Sequence, residues 1–124
     1  MKTKDSIDGL LTDDFFDGPV HPDKKSLLDG IVTKMPLKDL LNLKNQLVDA
    51  GFKQIMQDED LVNCIEEFFK YDLNVAETSR NSFLHRNTLL YRLDKIQGLT
   101  GLNLKNFEDA VAFKILMQVY RLTT

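Results

Sequence analysis

From Asp58 onward the chain alternates apolar stripes with polar breaks at helical spacing. Leu61, Val62, Ile65, Phe68 and Phe69 recur at the three-to-four-residue interval that gathers apolar side chains on one helix face, and Asp58 or Asp60 stands ready to cap its start. Asn74 and Glu77 form a capping-box-like pair that opens a short helix over 75–82. Leu89, Leu93 and Ile96 repeat at i, i+4, i+7 in a helix beginning near His85 or Arg86, with Gly98 and Gly101 bracketing its end. Asn106 caps a last helix, with Glu108 and Asp109 in the first turn, where the helix dipole favours acids, and with Val111, Ile115, Val119 and Leu122 as its inner stripe. No β-like alternation of useful length appears, and no internal repeat. The predicted fold is all-α, a helical bundle.

Upstream the pattern is looser. Leu27, Leu28, Ile31 and Val32 fit a short helix over 26–33. Pro36 suits the first turn of another, because its missing N–H would be unpaired there anyway. Leu37, Leu40, Leu41, Leu47 and Val48 give that helix its stripe, and Gly51 reads as its C-terminal stop. The opening stretch is rich in Asp and contains Gly9, Gly18, Pro19 and Pro22. Its apolar pairs, Leu10-Leu11 and Phe15-Phe16, mark it as an arm that docks on a partner chain or on its own domain.

Composition changes this picture little until charge is mapped. The chain has 124 residues, 43% hydrophobic and 28% charged, as in an ordinary globular protein, and its formal net charge is −3. No apolar run approaches the roughly 20 residues that span a bilayer, so no membrane role is expected. Met1-Lys2-Thr3-Lys4-Asp5 leads into no apolar signal core, and the single Cys64 cannot form an internal disulfide, so a cytoplasmic location is expected. The net charge taken alone argues against nucleic acid. It is unevenly spread, however: residues 1–60 carry eight Lys and twelve acids, a net of −4, whereas residues 61–124 carry eight Lys or Arg and seven acids, a net of +1. All four Arg lie in the second half, and three of them (Arg80, Arg86 and Arg92) fall with Lys95 between Asn74 and Gln97. A phosphate backbone meets that local field, not the sum.

Two short helices joined by a tight turn, the second headed by polar and basic residues, make a helix-turn-helix pattern. The DNA major groove, about 12 Å wide, admits one helix, and base edges are reached mainly from that helix's first turns. Here those turns hold His85, Arg86, Asn87, Thr88, Tyr91 and Arg92. Arg can pair bidentately with guanine and Asn with adenine. Arg86 is the leading base-contact candidate. Asn87 and Thr88 either read bases or stabilise the helix start by local hydrogen bonds. His85 is a capping or phosphate-contacting group; Arg92 and Lys95 are placed for phosphate; Tyr91 either donates to phosphate or packs at the rim. Arg80 either clamps the DNA backbone or pairs with Glu77 or Asp94. Leu90 is awkward, either partly exposed, touching a thymine methyl, or packed on a neighbouring helix.

Residues 74–102, NVAETSRNSFLHRNTLLYRLDKIQGLTGL, followed by Asn106-Phe107-Glu108-Asp109-Ala110, resemble the C-terminal helix-turn-helix domain of the PucR/CdaR family of bacterial purine-catabolism and sugar-diacid regulators. The HRNTL-x-YRL run at 85–93 is the most distinctive part, and the N-V-x-E-T start, the L-T-G-L turn and the N-F-E-D start add matches in the same order. The resemblance covers about residues 58–122. It implies a transcriptional regulator with a Fis-like helix pair, in which the position matching Asn74 touches phosphate and those matching His85, Arg86 and Thr88 lie at the groove. Ser79 departs from the alanine that many such sequences use for close packing. Residues 1–57 are too short for the sensor domain that the family plan places upstream, so any small-molecule effector stays unknown.

The division expected is an acidic arm and helical extension over 1–57, a candidate dimerisation region, and a DNA-binding domain over 58–124. The expected partners are double-stranded DNA and a second copy of the chain, since symmetry doubles the few base contacts of one small module. The alternative is a protein–protein module that pairs with a full-length regulator without reading DNA. No cofactor is expected. His21, Cys64 and His85 lack zinc spacing, Asp13, Asp14 and Asp17 do not fit a calcium loop, and no nucleophile–base pair or phosphate-cradling glycine loop is present, so neither a metal site nor an enzyme is expected. Cys64 reads as a half-buried packing thiol.

Overall fold

A computed structural model describes residues 24–124, so the stretch carrying Leu10-Leu11 and Phe15-Phe16 lies outside the described residues. Within them run seven helices: α1 Lys24–Thr33, α2 Leu37–Leu47, α3 Ala50–Met56, α4 Glu59–Lys70, α5 Val75–Ser82, α6 Arg86–Thr100 and α7 Phe107–Leu122. No strand occurs among the described residues, and the all-α expectation holds.

In the second half, side chains fix the helix starts where the sequence placed them. The Leu61 amide donates to Asp58 Oδ1 at 3.2 Å, the Glu77 amide to Asn74 Oδ1 at 2.9 Å, and the Asp109 amide to Asn106 Oδ1 at 3.1 Å. Each bond satisfies one of the amides that a helix start leaves unpaired, a contribution of about 1 kcal/mol. Gly101, at φ 78°, ends α6 in the left-handed conformation that glycine adopts without strain.

The first half departs from expectation at two points. Pro36 stands just before α2, as its N-cap with ψ 140°, rather than in its first turn. Gly51 is not a stop: α2 ends at Leu47, and Gly51 lies in the first turn of α3, whose cap is Asp49. The apolar spacing runs through Val48 into Phe52 without a break, which hides the junction.

The main core gathers Val48, Phe52 and Ile55 with Leu61, Cys64, Ile65 and Phe68 of α4. Leu89, Leu93 and Ile96 of α6, Leu104, and Phe113 and Met117 of α7 complete it. This core therefore reaches back to Val48, before residue 58. A second, smaller cluster joins Val32 of α1, Leu40 of α2 and Val119 of α7, with Leu28, Met35, Leu43 and Ile115 against it. Helix α7 thus serves two cores at once. Its inner residues are Ala110, Phe113, Met117 and Val119, whereas the expected member Leu122 is exposed.

Candidate nucleic-acid interface

Helix α4 is the platform on which the α5–α6 pair is set. Its buried Leu61, Cys64, Ile65 and Phe68 share the core with Leu89, Leu93 and Ile96 of α6, which fixes which side of α6 faces solvent. Thr78, fully buried in α5, donates its hydroxyl to the Asn74 carbonyl at 2.7 Å and so enters the helix interface satisfied.

The turn between α5 and α6 is held by its own sequence. Phe83 closes α5 in the left-handed region at φ 54°, its N–H returning to the Ser79 carbonyl. The Leu84 amide donates to that same carbonyl at 3.3 Å, and the Ser79 hydroxyl donates to the Leu84 carbonyl. Serine at 79 is therefore a staple across the turn, a role that alanine lacks.

Phe83 itself was missed by pattern reasoning. It is 97% exposed, so its ring packs on nothing, while its backbone carries the strain that a Cβ suffers at positive φ, about 1–2 kcal/mol. Phe83→Gly removes that strain and loses no contact, with glycine's greater unfolded-state freedom offsetting part of the gain. The variant is expected to be more stable by about 0.5–1 kcal/mol in urea denaturation.

The candidate residues divide by exposure. Arg86, Asn87, Tyr91 and Lys95 are exposed along α6, and Asn87, Tyr91 and Lys95 follow one another at four-residue steps. Among the described residues neither Arg86 nor Lys95 pairs with a carboxylate. His85 caps α6, its Nδ1 accepting the Asn87 amide proton at 3.1 Å. Asn74 spends its Oδ1 on capping α5, although the residue is exposed. Thr88 and Leu90 are half-buried at the edges of the stripe. Arg80 pairs with Glu77 at 3.3 Å, an exposed contact of little energetic weight.

Arg92 stands apart. It is half-buried and lines a cleft with Cys64 of α4. Burial pushes the Cys64 thiol above its ordinary range, and the charge and hydrogen bond of Arg92 hold back part of that rise. The thiol is buried outright at 3% exposure, deeper than the half-buried position expected for it.

Residues 61–119 match the family described as the PucR C-terminal helix-turn-helix domain. This part of the chain is similar to a PucR-type helix-turn-helix domain. The chain is 26% identical over 88 residues to the purine catabolism regulatory protein of Bacillus subtilis (strain 168), covering 71% of this chain and 17% of that protein. It is 42% identical over 52 residues to the carbohydrate diacid regulator of Escherichia coli (strain K12), covering 42% of this chain and 14% of that protein. The chain thus spans less than a fifth of the length of either relative. No solved structure matches at a significant level. Both of these relatives are named as regulators. No described helix is long and apolar enough to cross a membrane.

Proposed function

We propose that this chain is a cytoplasmic transcriptional regulator that binds duplex DNA as a homodimer, with residues 58–124 as the DNA-binding domain and α6 in the major groove. The observation that carries this reading is the PucR-type match at 61–119, whose α6 presents Arg86 and Asn87 exposed in its first turn, with Arg86 unpaired among the described residues. In this reading Arg86 pairs with guanine and Asn87 with adenine. Thr88 and Tyr91 flank them, His85 and Asn74 approach phosphate at the two helix starts, and Lys95 meets phosphate further along. Arg92 is left out of this face because it is half-buried and lines a cleft with Cys64 of α4. Two such helices related by a dyad would read half-sites about 34 Å apart.

The exposed leucines of α2, Leu37, Leu41 and Leu47, support the dimer through residues 1–57, since a monomer gains nothing by showing them to water. The same leucines, in a half whose net charge is −4, favour the second reading, a module that pairs with a full-length regulator and does not touch DNA.

Gel shifts on genomic fragments at graded salt separate the two. DNA binding predicts affinity falling steeply with salt, and Arg86→Ala weakening the best site by about 1–3 kcal/mol, roughly 5- to 150-fold, while relaxing its sequence preference. If no fragment competes better than bulk DNA at low salt, the DNA reading fails. Sedimentation of a 14.3 kDa species at working concentration would remove the dimer.

A further inference from the structure

Beneath the helix pair lies a cleft of about 450 Å³, within the roughly 300–1,000 Å³ of small-molecule sites. Helix α4 contributes Cys64, Glu67 and Lys70, α5 contributes Thr78 and Ser82, and α6 contributes Arg92. Two of these groups are anomalous. Glu67 Oε2 and Ser82 Oγ are shut off from solvent with no hydrogen-bond partner, and each meets a molecule in the cleft only when its side chain turns toward it. Buried polar atoms are nearly always paired, because an unpaired one keeps the full cost of leaving water. Arg92 is the counterpart: a half-buried guanidinium with five N–H donors that meets no carboxylate among the described residues. An unmet acceptor on α4 and unmet donors on α6 thus line one cleft without forming an ion pair with each other.

We propose that this cleft binds a small zwitterion of the free α-amino-acid type, its carboxylate on Arg92 and its ammonium at Glu67, with the Ser82 hydroxyl completing the set. The charge balance selects this class. Glu66, at the margin, is taken by Arg121, which leaves Asp60 and Glu67 against Lys70 and Arg92. A simple anion would leave Glu67 unmet and face its repulsion. A simple cation would do the same with Arg92. A molecule carrying both charges satisfies both ends, and guanidinium is the side chain best shaped for a carboxylate. Such a ligand bridges α4 to α5 and α6, so its occupancy would bear on how the helix pair sits on its platform. The binding itself does not rest on the DNA reading.

The test is an amide-resolved NMR titration of the full chain with pools of free L-α-amino acids, then with the best single one. The expected result is saturable shifts centred on Glu67, Ser82 and Arg92 with a Kd at or below about 1 mM. The N-acetyl and α-amide derivatives of that amino acid, each lacking one charge, should bind the unaltered protein at least about tenfold more weakly. Glu67→Gln and Arg92→Gln should do the same to the parent ligand. Absence of saturable shifts across the pools, equal binding of the blocked derivatives, or shifts centred elsewhere would each overturn the proposal and leave the cleft to water.

Discussion

Gly51→Ala is expected to destabilise the protein by about 3 kcal/mol, although glycine-to-alanine changes in helices ordinarily stabilise by up to about 1 kcal/mol. The sign reverses because of what Gly51 faces. A Cβ there would fall 2.1 Å from the carbonyl oxygen of Leu99 and 3.0 Å from its carbonyl carbon. Both are backbone atoms in the last turn of α6, so no side chain can rotate aside, and the helices must separate. The contact joins the start of α3, where amides are unpaired, to the end of α6, where carbonyls are, an approach the helix dipoles favour. Gly98 is the control. It lies in the same α6, and a Cβ there meets nothing within 4 Å, so Gly98→Ala should gain up to about 1 kcal/mol. Urea denaturation of the pair checks the prediction: similar midpoint changes for both would mean that α3 and α6 are not in backbone contact.

That contact also marks a limit of sequence reasoning. A glycine after an apolar stripe looks like a helix stop, because the left-handed cap is glycine's commonest structural use. Nothing local distinguishes that use from a close crossing of two backbones, since the crossing partner, Leu99, lies nearly fifty positions away. The α2–α3 junction was hidden for a related reason. Val48 fits the stripe of the preceding helix and is also a member of the core built by the following one. By contrast, the caps at Asp58, Asn74 and Asn106 were legible because capping is a bond between residues three apart, whose partners are both in view.

The candidate site was legible to the same extent. The exposed run Arg86-Asn87 and the buried set Leu89, Leu93 and Ile96 follow from the period of a single helix. Arg92 does not. Its position on the flank of α6 allows it to reach either solvent or a neighbour, and only the packing of α4 brings Cys64 beside it. Phe83 escaped because its two properties, left-handed backbone and near-complete exposure, fall at a position that holds neither glycine nor asparagine to announce it.

The last helix yields the largest core effect. Phe113→Ala should cost about 3–5 kcal/mol, a large share of the stability of any domain this size. Phe113 is fully buried, its ring centroid 5.0 Å from that of Phe52, and it belongs to the core that also holds the inner residues of α4 and α6. Truncation removes the aromatic contact and opens a cavity between α3 and α7 that rigid neighbours fill only in part. Sequence periodicity assigned the inner stripe of α7 to Val111, Ile115, Val119 and Leu122, which omits Phe113 altogether. One stripe cannot describe a helix that is buried on two sides, since Ile115 and Val119 turn to the small cluster with α1 and α2 while Phe113 and Met117 turn to the main core. The comparison that tests this division is Leu122→Ala, expected to cost under about 0.5 kcal/mol because Leu122 is exposed and lies in neither core. Thermal denaturation of both variants decides between the two assignments: if Leu122→Ala proves the more damaging, α7 buries the stripe that its period suggests, and the helix pair does not rest on Phe113.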